Sequence, residues 1–105
     1  MNYTLDQIWE QFRAVGTHID TDHYDSVIYK GAKIIRYHDD LSIKLFCTAS
    51  DLYKPMRYNI VSTFVKDGFD KGIKAYRKHK YELLLREPYA SEKMKKEIRN
   101  QLDKL

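Results

Sequence analysis

The segment THIDTDHYD, residues 17–25, sets His18, Asp20, Asp22, His23 and Asp25 close together, and His38-Asp39-Asp40 repeats the theme. Imidazole and carboxylate are donors that zinc accepts. A tight zinc site, however, fixes its ligands on defined elements with supporting partners, not along one polar loop. The spacing also fails the calcium-loop pattern, which wants glycine at its sixth position, where Asp25 stands. These residues read as solvated turn formers, so no metal and no cofactor is expected. Catalytic signatures are missing as well: no glycine-rich phosphate loop follows a strand, no serine sits in an elbow context, and no cysteine–histidine pair is defensible. Cys47, in a predicted strand, reads as a small buried hydrophobe. His79 falls on an apolar stripe, which suits a buried, hydrogen-bonded histidine better than a general base. The expectation is a protein that is not an enzyme.

The remaining chemistry is charge. The formal net charge is +4, unevenly spread. Residues 1–25 hold Asp6, Glu10, Asp20, Asp22 and Asp25 against Arg13, a net of −4, which leaves +8 for residues 26–105. A basic body of this kind attracts phosphates or an acidic protein surface. Nine tyrosines suit a half-buried core and an interface anchor equally.

The elements that would position these groups follow from periodicity. Thr4 with Gln7 forms a capping-box pattern, and Leu5, Ile8, Phe12 and Val15 recur at helical spacing before Gly16, with Trp9 beside the stripe. Residues 17–25 read as a loop. From Ser26 the runs VIY, AKIIRY and LSIKLF, separated by Lys30-Gly31 and His38-Asp39-Asp40, predict a three-stranded antiparallel meander. In its third strand Leu41, Ile43 and Leu45 share one face, while Ser42, Lys44 and Phe46 share a wet one. A long helix is expected to begin at or after Pro55 and to end before Pro88. Its sheet-facing stripe gathers Val61, Phe64, Val65, Gly68, Phe69, Gly72, Tyr76, His79 and Leu83. Gly68 and Gly72 mark either close backbone approach to the sheet or a break. Ser91 can cap a last helix that carries Met94, Ile98, Leu102 and Leu105 on one face.

On the long helix Lys71, Lys74, Arg77, Lys78, Tyr81 and Leu85 lie opposite that stripe. Two uses are open for this side: the final helix folds over Tyr81 and Leu85, or Lys71, Lys74, Arg77, Lys78 and Tyr81 form a contact surface for a partner. For nucleic acid, the cations with an aromatic suit backbone contact and stacking. Asp67, Asp70, Glu82 and Glu87 dilute the field, and no RNA-recognition, helix-turn-helix or zinc-finger pattern is present. The order helix, three strands, helix is similar to that of double-stranded-RNA-binding domains, but the basic motif expected at the start of their second helix is missing.

The stretch FVKDGFDKGIKAYRKHKYELLLRE, preceded by the hairpin-like VIYKGAKIIRY, resembles a pattern in small phage-encoded proteins over residues 26 to 87. The resemblance implies a small phage or mobile-element protein of a class that includes inhibitors of host enzymes and of bacterial defences, among them anti-CRISPR proteins. Several of those inhibitors are acidic DNA mimics. This basic chain departs from that pattern, and the shared positions are structural, so no functional residue carries over.

The reading is therefore a single α+β domain, 1–105, with a three-stranded antiparallel sheet packed against a long helix and flanked by a short N-terminal and a short C-terminal helix. A host protein or nucleoprotein complex is the expected partner, with nucleic acid the alternative. A leftover apolar face on the last helix can seat a second copy. The start of the chain lacks a signal-peptide pattern, and no run approaches the roughly 20 apolar residues of a membrane span. Together with the single cysteine this points to the cytoplasm.

Overall fold

The capping box forms as the sequence predicts. The Gln7 backbone N–H donates to the Thr4 hydroxyl at 3.1 Å, and the Thr4 N–H donates to the Gln7 side-chain carbonyl at 2.8 Å. Two otherwise orphaned amides are thereby satisfied at the start of α1 (Leu5–Val15), which buries Ile8, Trp9 and Phe12 and leaves Val15 exposed. The computed structural model describes residues 2–49 and 52–105.

After α1 the chain builds five antiparallel strands, hydrogen-bonded in chain order: β1 (Thr17–Asp20), β2 (Tyr24–Tyr29), β3 (Ala32–Tyr37), β4 (Ile43–Ala49) and β5 (Leu52–Pro55). The α+β class holds, but the expected three strands are five. β1 lies in the segment expected to be loop. All four of its residues are exposed, so no apolar alternation marks it, and it is held by backbone pairing to β2, by the Ser26 hydroxyl donating to the Ile19 carbonyl and by the His18 ring against the Arg13 carbonyl. β5 is the other edge, where Pro55, with no amide to donate, is tolerated. Between β2 and β3, Lys30 (φ 50°) and Gly31 (φ 86°) make the two-residue turn whose positive φ values match the strand twist.

The register assigns two faces. Val27, Ala32, Ile34 and Leu45 point to one side, where they join Ile8, Trp9 and Phe12 in one hydrophobic cluster. Tyr24, Ser26, Ile28, Lys33, Ile35, Tyr37, Lys44 and Phe46 point to the other, and none of them belongs to that cluster.

The single long helix is in fact two, α2 (Tyr58–Asp67) and α3 (Phe69–Leu85), interrupted at Gly68. Gly68 has φ 99° and ψ 177°, a region open to glycine almost alone, so the helix cannot run through it. The interruption lets Phe64 and Phe69 both enter the core, with ring centroids 5.9 and 5.0 Å from Phe12. Gly72 does serve close approach, but to α2 and not to the sheet: a Cβ there would lie 2.3 Å from the Phe64 ring. α3 buries Phe69, Gly72, Ile73 and Tyr76, and the Tyr76 hydroxyl donates to the Gly31 carbonyl at 2.7 Å. Beyond Tyr76 the helix outruns the sheet. His79 is therefore only half-buried and Leu83 is exposed, contrary to the predicted stripe.

Ser91 caps α4 (Glu92–Asp103), its hydroxyl accepting from the Met94 N–H at 3.3 Å. No residue of α4 is buried, and its packing is against α3. This projecting helix pair explains a Cα radius of gyration of 14.7 Å, against about 13 Å for a compact chain of this length. No helix among the described residues is long and apolar enough to cross a membrane.

Candidate functional site

α3 carries all five residues predicted to form a contact surface. Lys71, Lys74 and Lys78 are exposed, and Arg77 and Tyr81 are half-buried. Spacings of three and four residues keep them on one side of the helix. Their surroundings differ. The Arg77 guanidinium lies over the Tyr81 ring, 5.9 Å from its centroid, and Tyr81 turns into the cleft between α3 and α4. That cleft, about 440 Å³, is lined by Leu84, Met94 and Ile98 together with Glu87 and Glu97. Tyr81 thus serves helix–helix packing first.

Lys74 and Arg77 also border a second groove, of about 210 Å³, together with Tyr29, Lys30, Asp70, Ile73, Lys104 and Leu105. Three elements meet there: α3, the β2–β3 turn and the end of α4. The turn delivers Lys30, and the last residues of the chain deliver Lys104. Sequence reasoning missed both, because each is separated from Lys74 by dozens of residues and only the tertiary fold brings them together. Three ion pairs occur among the described residues, Arg13–Glu10, Arg36–Asp25 and His38–Asp25, and none involves Lys30, Lys74, Arg77 or Lys104. Asp70 borders the groove but stands beyond ion-pair distance of them all. Four cations gathered in one concavity and not neutralised across it form a positive site for an anionic group.

The histidine and aspartate segment takes a different role. His38 Nε2 lies 2.9 Å from Asp25 Oδ1, and Nδ1 lies 3.1 Å from the Asp22 carbonyl oxygen. Both partners are acceptors, so the ring fills both bonds only as the doubly protonated imidazolium, which has no lone pair for a metal or for proton abstraction. The Asp25 bond and the Asp22 carbonyl raise the His38 pKa, and His38 in turn lowers that of Asp25. Arg36 reaches Asp25 at 3.6 Å and lies over the Trp9 ring at 4.8 Å. The cluster fastens the β1–β2 turn to the end of β3. Among the described residues no three His, Cys, Asp or Glu side chains come together to hold a metal ion. Burial pushes the Cys47 thiol pKa up despite Lys80 and Arg57, so the sulfur is a poor nucleophile.

Compared with protein-family models, curated proteins and solved structures, the chain matches none of them.

Proposed function

We propose that the protein is a non-enzymatic binding module that engages an acidic macromolecular surface through the cationic side of α3. The observation that carries this reading is that Lys30, Lys74, Arg77 and Lys104 border one groove, with no carboxylate among the described residues in ion-pair contact with them. Groups of like charge held together cost free energy in the free protein, a cost an acidic ligand removes. Lys71 and Lys78 extend the positive side along the helix and supply long-range attraction.

The resemblance to small phage-encoded inhibitors makes a host protein or nucleoprotein complex the first partner to seek. Affinity capture from a lysate of the native host, with the wild-type chain and with Lys74→Glu/Arg77→Glu/Lys78→Glu, tests the reading. A stoichiometric partner held by the wild type should be recovered at least tenfold less well by the variant, with thermal unfolding nearly unchanged, since all three positions lie outside the core. Full recovery by the variant moves the site elsewhere.

A further inference from the structure

We infer that the sheet face turned away from the helices binds single-stranded nucleic acid, with bases stacking on Tyr24, Tyr37 and Phe46 and phosphates held by Lys44. The inference stands apart from the proposal for α3, and either can fail alone.

An antiparallel sheet with one face on a core normally turns a polar face to water. This one carries aromatic and aliphatic side chains instead: Ser26, Lys33 and Ile35 are buried in its middle, Tyr24, Tyr37 and Phe46 are half-buried around them, and Ile19 at its β1 edge is 47% exposed. Tyr24 and Tyr37 are directly opposite across β2 and β3, with ring centroids 6.1 Å apart at 66°. Each ring carries an ammonium: Lys33 Nζ lies 5.7 Å from the Tyr24 centroid and Lys44 Nζ 5.6 Å from that of Tyr37. Lys33 is 3% exposed and helps set the Tyr24 ring, whereas Lys44 is open to solvent and can reach a ligand.

Charge sign selects the occupant. No described residue that the register places on this face is acidic, because Asp20 and Asp25 of β1 and β2 project to the opposite side. A ligand that complements it needs flat π-faces beside negative charge, and unpaired nucleotides supply both. A duplex hides its base faces in the stack.

The test uses the full chain and a fluorescein-labelled 20-nucleotide oligo(dT), read by fluorescence anisotropy. Binding should weaken as salt rises, and unlabelled duplex should compete poorly. Tyr37→Ala/Phe46→Ala should lower affinity at least tenfold, as expected for lost base stacking, while Tyr37→Phe keeps wild-type affinity. Lys44→Ala should reduce the logarithmic salt slope by about 0.7. If an aromatic variant unfolds, amide chemical-shift mapping on the wild type decides, with the largest shifts expected at Tyr24, Tyr37, Lys44 and Phe46. Absence of binding at low salt overturns the inference. So does equal affinity for duplex, shifts confined to α3, or a concentration-dependent dimer that buries this face.

Discussion

His38 illustrates how a residue can look like a ligand and serve as a fastener. Its raised pKa gives the clasp a definite direction of pH dependence. A group whose folded pKa exceeds its unfolded value stabilises the fold fully below the unfolded value, here 6.5, and loses that contribution as pH rises through the folded one. Asp25, shifted down from 3.8, contributes above that value and loses its contribution as pH falls through the lowered one. Thermal unfolding followed from pH 6 to pH 8 should therefore show a fall in Tm that is missing in His38→Gln. An unchanged profile in that variant would mean that the clasp is not populated. Gly72 makes a second residue-scale prediction. An alanine Cβ meets the immobile Phe64 ring, so overpacking should outweigh the gain in helix propensity, and Gly72→Ala should cost about 1–2 kcal/mol. A stability equal to or above wild type in urea melts would contradict the packing described. Neither contact is readable from the sequence, because both join residues that only the fold brings together.

Elements were legible where their periodicity is strong. The capping box, the α1 stripe, the β2–β3 hairpin, the Ser91 cap and the end of α3 before Pro88 all follow from local chemistry. β1 was not, because an exposed edge strand needs no apolar alternation. The break at Gly68 is one of the two readings the glycines leave open, and the stripe Val61, Phe64, Val65, Phe69, Gly72 and Tyr76, which keeps its spacing across both helices, favours the unbroken one. In the candidate site, Lys71, Lys74, Arg77, Lys78 and Tyr81 can be found on one helix side, but not the groove that Lys74 and Arg77 border with Lys30 and Lys104. An element-scale prediction follows from the lack of any buried residue in α4. Its amides should exchange with solvent deuterium far faster than those of α1 and β3, through local opening and not global unfolding. Protection of α4 equal to that of β3 would show that the helix pair unfolds only with the body.

At the scale of the molecule, the charge imbalance seen along the chain becomes spatial. Asp20, Asp22 and Asp25 lie on β1, β2 and the turn between them, while the cations of α3 and the end of α4 gather at the groove with Lys30. The β-sheet, α1, α2 and the first half of α3 carry the core, and the side of α3 that holds Lys71, Lys74 and Lys78 is exposed. The central claim is that Lys30 and Lys104 belong to the same binding unit as Lys74 and Arg77, although no sequence pattern joins them. Quantitative capture of the native-host partner by Lys30→Glu/Lys104→Glu tests it most directly. The account predicts at least a tenfold loss, with less than additive further loss when Lys74→Glu and Arg77→Glu are added, as for residues sharing one ligand group. Recovery equal to wild type by Lys30→Glu/Lys104→Glu would contradict it.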